Sequence, residues 1–214
     1  MIPDYRDNSL QYWDAIHQRF AENTITTDDW LERFDEIILQ TKRPVLDLGC
    51  GGGNNTKYLI DKGKQVIPCD QSQASIDIIT KNFPEIDDVR CFNMLDGLPF
   101  ADETFDVVIA DLCLHYFTKA DTETILSEIQ RILVPGGYLI FRVNSTGDVN
   151  HGAGQGIEIE HHLYETDAGT LKRFFDEEDI GSFFRDFEIE YLNEETMGRY
   201  KLEKRVFRGC AKKM

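Results

Sequence analysis

Apolar positions along this chain follow two spacings. Over residues 28–40, Trp30, Phe34, Ile37 and Ile38 recur at i, i+4, i+7 and i+8 behind Thr27, which predicts a capped helix. Residues 8–20 read the same way. Pro44 then stops the helix, and PVLDLG opens a short buried strand. From there strand and helix signals alternate. A helix over 54–62 is closed by Gly63, a strand spans 65–69, a helix spans 72–82 behind Ser72, and a strand spans 89–93. Pro68 lacks a ladder N–H, so it is expected close to its strand's end.

FDVVIAD (105–111) is almost wholly apolar, as a central parallel strand covered on both faces should be. Helix 119–133 follows, with Thr118 as cap, Asp121 at its third position, and Ile125, Leu126, Ile129, Ile132 and Leu133 in one stripe. VPGG ends it, and YLIFRVN (138–144) is the next strand. A Gly-rich, His-containing segment (147–162), a helix over 177–184 and strands over 186–193 and near 203–211 complete the chain. The last two runs are close enough to pair antiparallel. The order predicts one α/β domain over 1–214, with Phe174, Phe175, Phe183 and Phe184 in its core.

Composition narrows the setting. The chain has 214 residues, enough to bury a sizeable core. Its five cysteines form no C-x-x-C pair and read as reduced thiols, which points to the cytoplasm. The opening residues lack the pattern of a secretory signal, and no apolar run approaches the ~18 residues of a membrane span. No membrane partner is expected. With 23 basic and 39 acidic residues the formal charge is −16, which predicts a neutral or cationic small-molecule partner and no nucleic acid. Whether the chain is a monomer or a homodimer stays open.

The chemistry concentrates in GCGGG (49–53), which leaves the first strand at the edge where open α/β sheets bind ligands. Glycine permits positive φ and lets a ligand approach bare main chain. A dinucleotide fingerprint needs a third glycine at position 54, which is Asn54. Asp70 ends the second strand about 20 residues further on, where a carboxylate can accept from both hydroxyls of a ribose. A ribose is supported and a pyrophosphate is not.

Five ordered blocks, VLDLGCGGG, VIPCD, NMLDGLPFADETFDVVIAD, LHYF and IQRILVPGGYLIF, resemble the class I S-adenosylmethionine-dependent methyltransferases of the small-molecule, single-domain type. The resemblance implies a Rossmann-like three-layer α/β/α sandwich with a seven-stranded, mostly parallel sheet of order 3-2-1-4-5-7-6, the last strand antiparallel. It implies S-adenosyl-L-methionine as cofactor and S-adenosyl-L-homocysteine as product.

Asp47 would then organise the methionine amino end over Gly49, Cys50 and Gly51, and Asp70 would bind ribose beside Gln71. Asn93, where family members often carry Asp, would accept from the adenine amino group, with Met94 against the ring. Ala110 and Asp111 would lie near the sulfonium. Such a transfer needs alignment more than a protein nucleophile, and a protonated acceptor would need a base. His115 and Asp111 are the candidates.

The N-terminal 40 residues are expected to form a helical lid, with Tyr5, Tyr12 and Trp13 facing the acceptor. Residues 145–165, with His151, are expected to form a flap. His151, Glu158, Glu160, His161 and His162 have no recognised metal spacing, and no metal is expected. In an extended 157–162 segment, His162 would share a face with Glu158 and Glu160, with His161 opposite. Two other functions use the same pocket: a non-catalytic sensor that binds the cofactor, and an NAD-dependent oxidoreductase, which Asn54 disfavours.

Overall fold

The computed structural model describes residues 5–214, so the first four residues of the expected lid lie outside the described residues. The chain runs from α1 (Tyr5–Phe20) through a 3-10 turn (Asp29–Phe34) into α2 (Asp35–Gln40). It continues as β1 (Val45–Leu48), α3 (Asn54–Asp61), β2 (Val66–Asp70), α4 (Gln73–Asn82), β3 (Arg90–Cys91) and β4 (Phe105–Asp111). Then come α5 (Lys119–Ile132), β5 (Leu133–Asn144), β6 (Ile157–Glu160), β7 (Leu163–Glu165), β8 (Leu171–Arg173), α6 (Glu177–Phe183), β9 (Phe187–Met197) and β10 (Lys204–Lys213).

Seven strands form the main sheet in the order β3-β2-β1-β4-β5-β10-β9. The first five pair in parallel, and β10 is antiparallel to both neighbours. Counted along the sheet's own strands this is 3-2-1-4-5-7-6, the order that the resemblance implied.

Alternation along the strands feeds two apolar layers. Leu46, Leu48, Val108, Ala110, Leu139 and Phe141 pack with the α5 stripe Ile125, Ile129 and Ile132. Val45, Val107, Ile109 and Ile140 pack with Trp30, Phe34 and Ile38 on the other face. Phe141 lies flat on Phe184, 4.3 Å between ring centroids. That ring crosses Gly209 of β10, where a Cβ would fall 2.3 Å from Phe141 Cζ.

Side-chain caps start three helices. Ser72 Oγ accepts from Ser75 N at 3.2 Å, Thr118 Oγ1 accepts from Asp121 N at 3.2 Å, and Asp176 with Asp179 closes a capping box on α6. Each is worth about 1 kcal/mol.

Several expectations change. The helix over 28–40 begins as a 3-10 turn behind Asp28, without a side-chain cap. Asp28 instead pairs with Arg142 and Arg199, while Trp30 donates to Asn55 at 2.9 Å. Tertiary partners have overridden the local cap, and the 29–40 segment covers the sheet instead of the ligand edge.

Pro68 stands in the middle of β2. It is tolerated there because β3 pairs only with Cys69 and Asp70, beyond the proline. The expected flap is largely ordered. Residues 157–160 and 163–165 form a three-stranded antiparallel sheet with β8 in the order β6-β7-β8. Extended structure stops at Glu160, His162 takes φ +56°, and its ring stacks on His161 with centroids 3.7 Å apart.

Candidate active site

A cavity of about 360 Å³ opens at the C-terminal edge of the parallel strands. Its first wall is the loop that begins at Gly49. That residue has φ +71°, and a Cβ there would lie 2.6 Å from Cys113 Cβ, so only glycine lets β1 turn beneath the loop after β4. Cys113 Sγ donates to Leu48 O at 3.1 Å and ties the two loops together. Leu112, between them, takes φ +56°, a strained value for a leucine at a ligand edge.

Asp70 meets this loop directly. Its Oδ2 accepts from Gly51 N at 3.0 Å and its Oδ1 accepts from Ser72 N at 3.0 Å. Each oxygen keeps a second lone pair.

Gly49, Cys50, Gly51, Asp70, Gln71, Asn93, Met94, Asp111, His115, Trp13 and His151 all line this one cavity. Asn93 Oδ1 also caps a short 3-10 turn by accepting from Leu95 N at 3.0 Å. Asp47 and Ala110 stand behind the wall, both fully buried. Asp47 Oδ2 accepts from Thr56 Oγ1 at 2.6 Å while Oδ1 has no partner. Burial pushes this carboxyl up to about 7, against the lowering effect of the Thr56 bond.

Tyr5 is buried away from the cavity, donating to Asp121 at 2.5 Å, and Tyr12 is exposed. Of the expected lid residues, Trp13 alone lines the site, because α1 presents one face to it. Ser9, Trp13 and His17 recur every four residues on that face. Gln71 Nε2 donates to Ser9 Oγ at 3.3 Å, and Asp14 accepts from Ser72 Oγ and from Ala74 N. Trp13 packs edge-on against Tyr116 at 5.2 Å. Burial holds His17 below the usual histidine range, although Asp70 and Asp14 pull the other way.

The two candidate bases differ. Asp111 accepts at both oxygens from Arg142 Nε and NH2, each at 2.7 Å, and the guanidinium is buried over the Trp30 ring. A carboxylate gripped in this bidentate way is a structural ion pair with both oxygens turned to the guanidinium, which removes Asp111 from the base candidates. His115 is fully buried and has an unpartnered Nδ1. Burial first, then the charges of Lys204 and Lys172, push it well below the ordinary histidine value, so the ring is neutral.

Other lining residues escaped the sequence reading. The spacing of Ser9, Trp13 and His17 and the LHYF block could have revealed His17 and Tyr116. Lys172, Arg199, Tyr200 and Lys204 carry no local signal, because β8, β10 and the turn before β10 bring them in from far along the chain. His161, His162 and Asp179 bring ligand-type atoms within 4.8 Å of one another outside the cavity, and His162 Nδ1 lies 2.7 Å from Asp179 Oδ2.

Residues 46–141 match a family described as a methyltransferase domain. An uncharacterised methyltransferase of Synechocystis is 35% identical over 144 residues, covering 64% of this chain and 66% of that protein. A tRNA N3-methylcytidine methyltransferase of Schizosaccharomyces pombe is 27% identical over 202 residues, covering 86% and 81%. Against some other curated relatives the chain spans less than half their length, 41% for a chicken tRNA N3-cytidine methyltransferase.

A methyltransferase from Methanosarcina mazei shares the fold at TM-score 0.71 and 21% identity, covering 85% of this chain and 97% of the other. So does a 1,6-didemethyltoxoflavin N1-methyltransferase from Burkholderia thailandensis, solved with S-adenosylhomocysteine, at 0.65 and 21%, covering 98% and 84%.

The tRNA-modifying relatives overturn the expectation that nucleic acid is excluded as a partner. That expectation rested on the charge summed over the chain, which sets the distant field and not the sign inside a cavity holding Lys172, Arg199 and Lys204. Among the described residues no helix is long and apolar enough to cross a membrane.

Proposed function

Because the chain belongs to the class I S-adenosylmethionine-dependent methyltransferases, we propose that it transfers a methyl group to an acceptor held beside Tyr116 and His115, leaving S-adenosylhomocysteine. One observation carries this reading: Asp70 reaches the glycine loop, 3.0 Å from Gly51 N, at the rim of a single cavity. The residues fit the cofactor. Gly49, Gly51 and Gly52 line the cavity without side chains, Asp70 keeps free lone pairs for ribose hydroxyls, and Asp47 Oδ1 is an unpartnered acceptor buried under the same loop.

When bound, the sulfonium supplies an already activated methyl group. The chain's own residues position the partners and exclude water. Asp70 takes the ribose, and Gln71, Asn93 and Met94 bound the place of the adenine. Gly49, Cys50 and Gly51 would hold the amino-acid end, with Asp47 and Ala110 supporting them from behind. α1 closes the roof through Trp13. His115, neutral and unpartnered at Nδ1, accepts the proton of an acceptor that must lose one.

An acceptor small enough to enter beneath α1 suits the cavity. The relatives that modify tRNA support a second reading, in which one base of an RNA occupies the same end. All five cysteines are free, which favours a reducing, cytoplasmic setting. We take residues 1–214 as one catalytic domain with α1 as its lid.

Calorimetric titration with S-adenosylhomocysteine tests the reading. Binding is expected, weakened in Asp70→Ala by roughly 1–3 kcal/mol through lost charge-assisted hydrogen bonds. A folded protein that ignores this ligand would overturn it. Sustained S-adenosylhomocysteine production over a panel of amine, thiol, phenol and nucleoside acceptors excludes a mere sensor.

A further inference from the structure

β2, which carries Asp70, and β10, which carries Lys204, are four strand spacings apart in the sheet, roughly 19 Å. The cavity therefore has a far end, built by residues that the cofactor's expected contacts do not use. Lys172, Arg199 and Lys204 line it, with His151 and Tyr200.

The charges there do not balance. Lys204 Nζ donates to Asp148 Oδ2 at 2.9 Å and to Asn144 Oδ1 at 2.6 Å. Arg199 lies 3.5 Å from Asp28, which it shares with Arg142, and Arg142 holds Asp111. His151 Nδ1 also leans on Asp148, at 2.8 Å. Lys172 is the cation left over. Its Nζ donates to the backbone oxygen of His151 at 2.7 Å, and no carboxylate lies within ion-pair distance among the described residues. Burial and the neighbouring Lys204 push it down to about 8, against the weaker pull of Asp148, so it stays mostly protonated at neutral pH.

A half-buried ammonium whose partners are one carbonyl oxygen and, 5.3 Å away, the Phe174 ring is costly to keep unless something anionic completes it. The whole-chain charge predicted a neutral or cationic acceptor, and this end of the cavity argues for the opposite sign. Resting on the methyltransferase reading, we propose that the acceptor carries an anionic group, a carboxylate or a phosphate, bound by Lys172 at the end of the cavity that it shares with Lys204 and Arg199.

The test uses the whole protein saturated with S-adenosylhomocysteine, as wild type, Lys172→Met and Lys172→Arg. Each is titrated at fixed ionic strength with benzoate, phenyl phosphate, benzamide, benzyl alcohol and choline, and the melting temperature is followed. Benzoate, phenyl phosphate or both should stabilise the wild type beyond their neutral analogues, and whichever does so names the anion. Lys172→Met should weaken that binding about ten- to a hundredfold, and Lys172→Arg should largely retain it.

Three results overturn the inference: neutral analogues or choline matching the anions, an anion preference that survives in Lys172→Met, or Lys172→Met losing S-adenosylhomocysteine itself, which would assign the charge to the cofactor. A wild type that fails to bind S-adenosylhomocysteine sinks the methyltransferase reading instead, so the two failures are distinct.

Discussion

The two ends of the cavity are built from different materials. The floor of the glycine-loop end is main chain and short side chains within 27 residues of each other, Gly49 to Ser75, locked by Gly51 N to Asp70, Ser72 N to Asp70 and Ser75 Oγ to Gly51 O. The far end is long side chains from β8, β10 and the preceding turn; ion pairs to Asp28 and Asp148 hold Arg199 and Lys204, while Lys172 rests on a carbonyl oxygen. A bare backbone cradle suits a ligand that never changes. Ion pairs on long stems can be rewired by a few substitutions, which is how one fold comes to serve many acceptors.

The sharpest way to break that contrast is Arg142→Met. It removes the buried partner of Asp111 at the junction of the two ends and should cost roughly 3–5 kcal/mol of stability, measured by urea unfolding. Adding Asp111→Asn should recover part of that loss, and no recovery would mean the pair does not act as a unit.

Asp47 tests the glycine-loop end through pH. Its folded value, raised to about 7 by burial, stands above the unfolded value of roughly 3.9. Its contribution is therefore fully present below about pH 4 and is lost as pH rises through 7, by at most about 1.4 kcal/mol per pH unit. Asp47→Asn should lack this decline, gaining on the wild type between pH 4 and pH 8. Parallel pH–stability curves would show that Asp47 is already ionised in the fold.

The smallest effect is expected at the roof. Asp14→Ala removes the acceptor for Ser72 Oγ and Ala74 N and should cost about 1 kcal/mol, read as faster hydrogen exchange confined to α1. Uniform exchange over the whole domain would mean that α1 is not a separate latch.

The same division explains what the sequence disclosed. The parallel series, the antiparallel final pair, the Ser72 and Thr118 caps and the cluster of Gly49, Gly51 and Asp70 were legible, because each depends on local spacing or a strand end. Thr27 was misread as a cap because Asp28 is claimed by arginines more than a hundred residues away. β6 to β8 were missed because their strands are only three or four residues long and sit among glycines. Lys172 and Lys204 belong to two different sheets, so no spacing along the chain could have joined them.

The position of β10 bears on how this domain is made. Among the described residues β9 pairs in the sheet with β10 alone, and β10 also supplies the outer neighbour of β5. As the polypeptide leaves the ribosome, the five parallel strands can assemble early. β9 and the outer edge of β5 must wait unpaired until Lys204–Lys213 has emerged, so the newborn chain keeps one side of its sheet bare until that strand arrives.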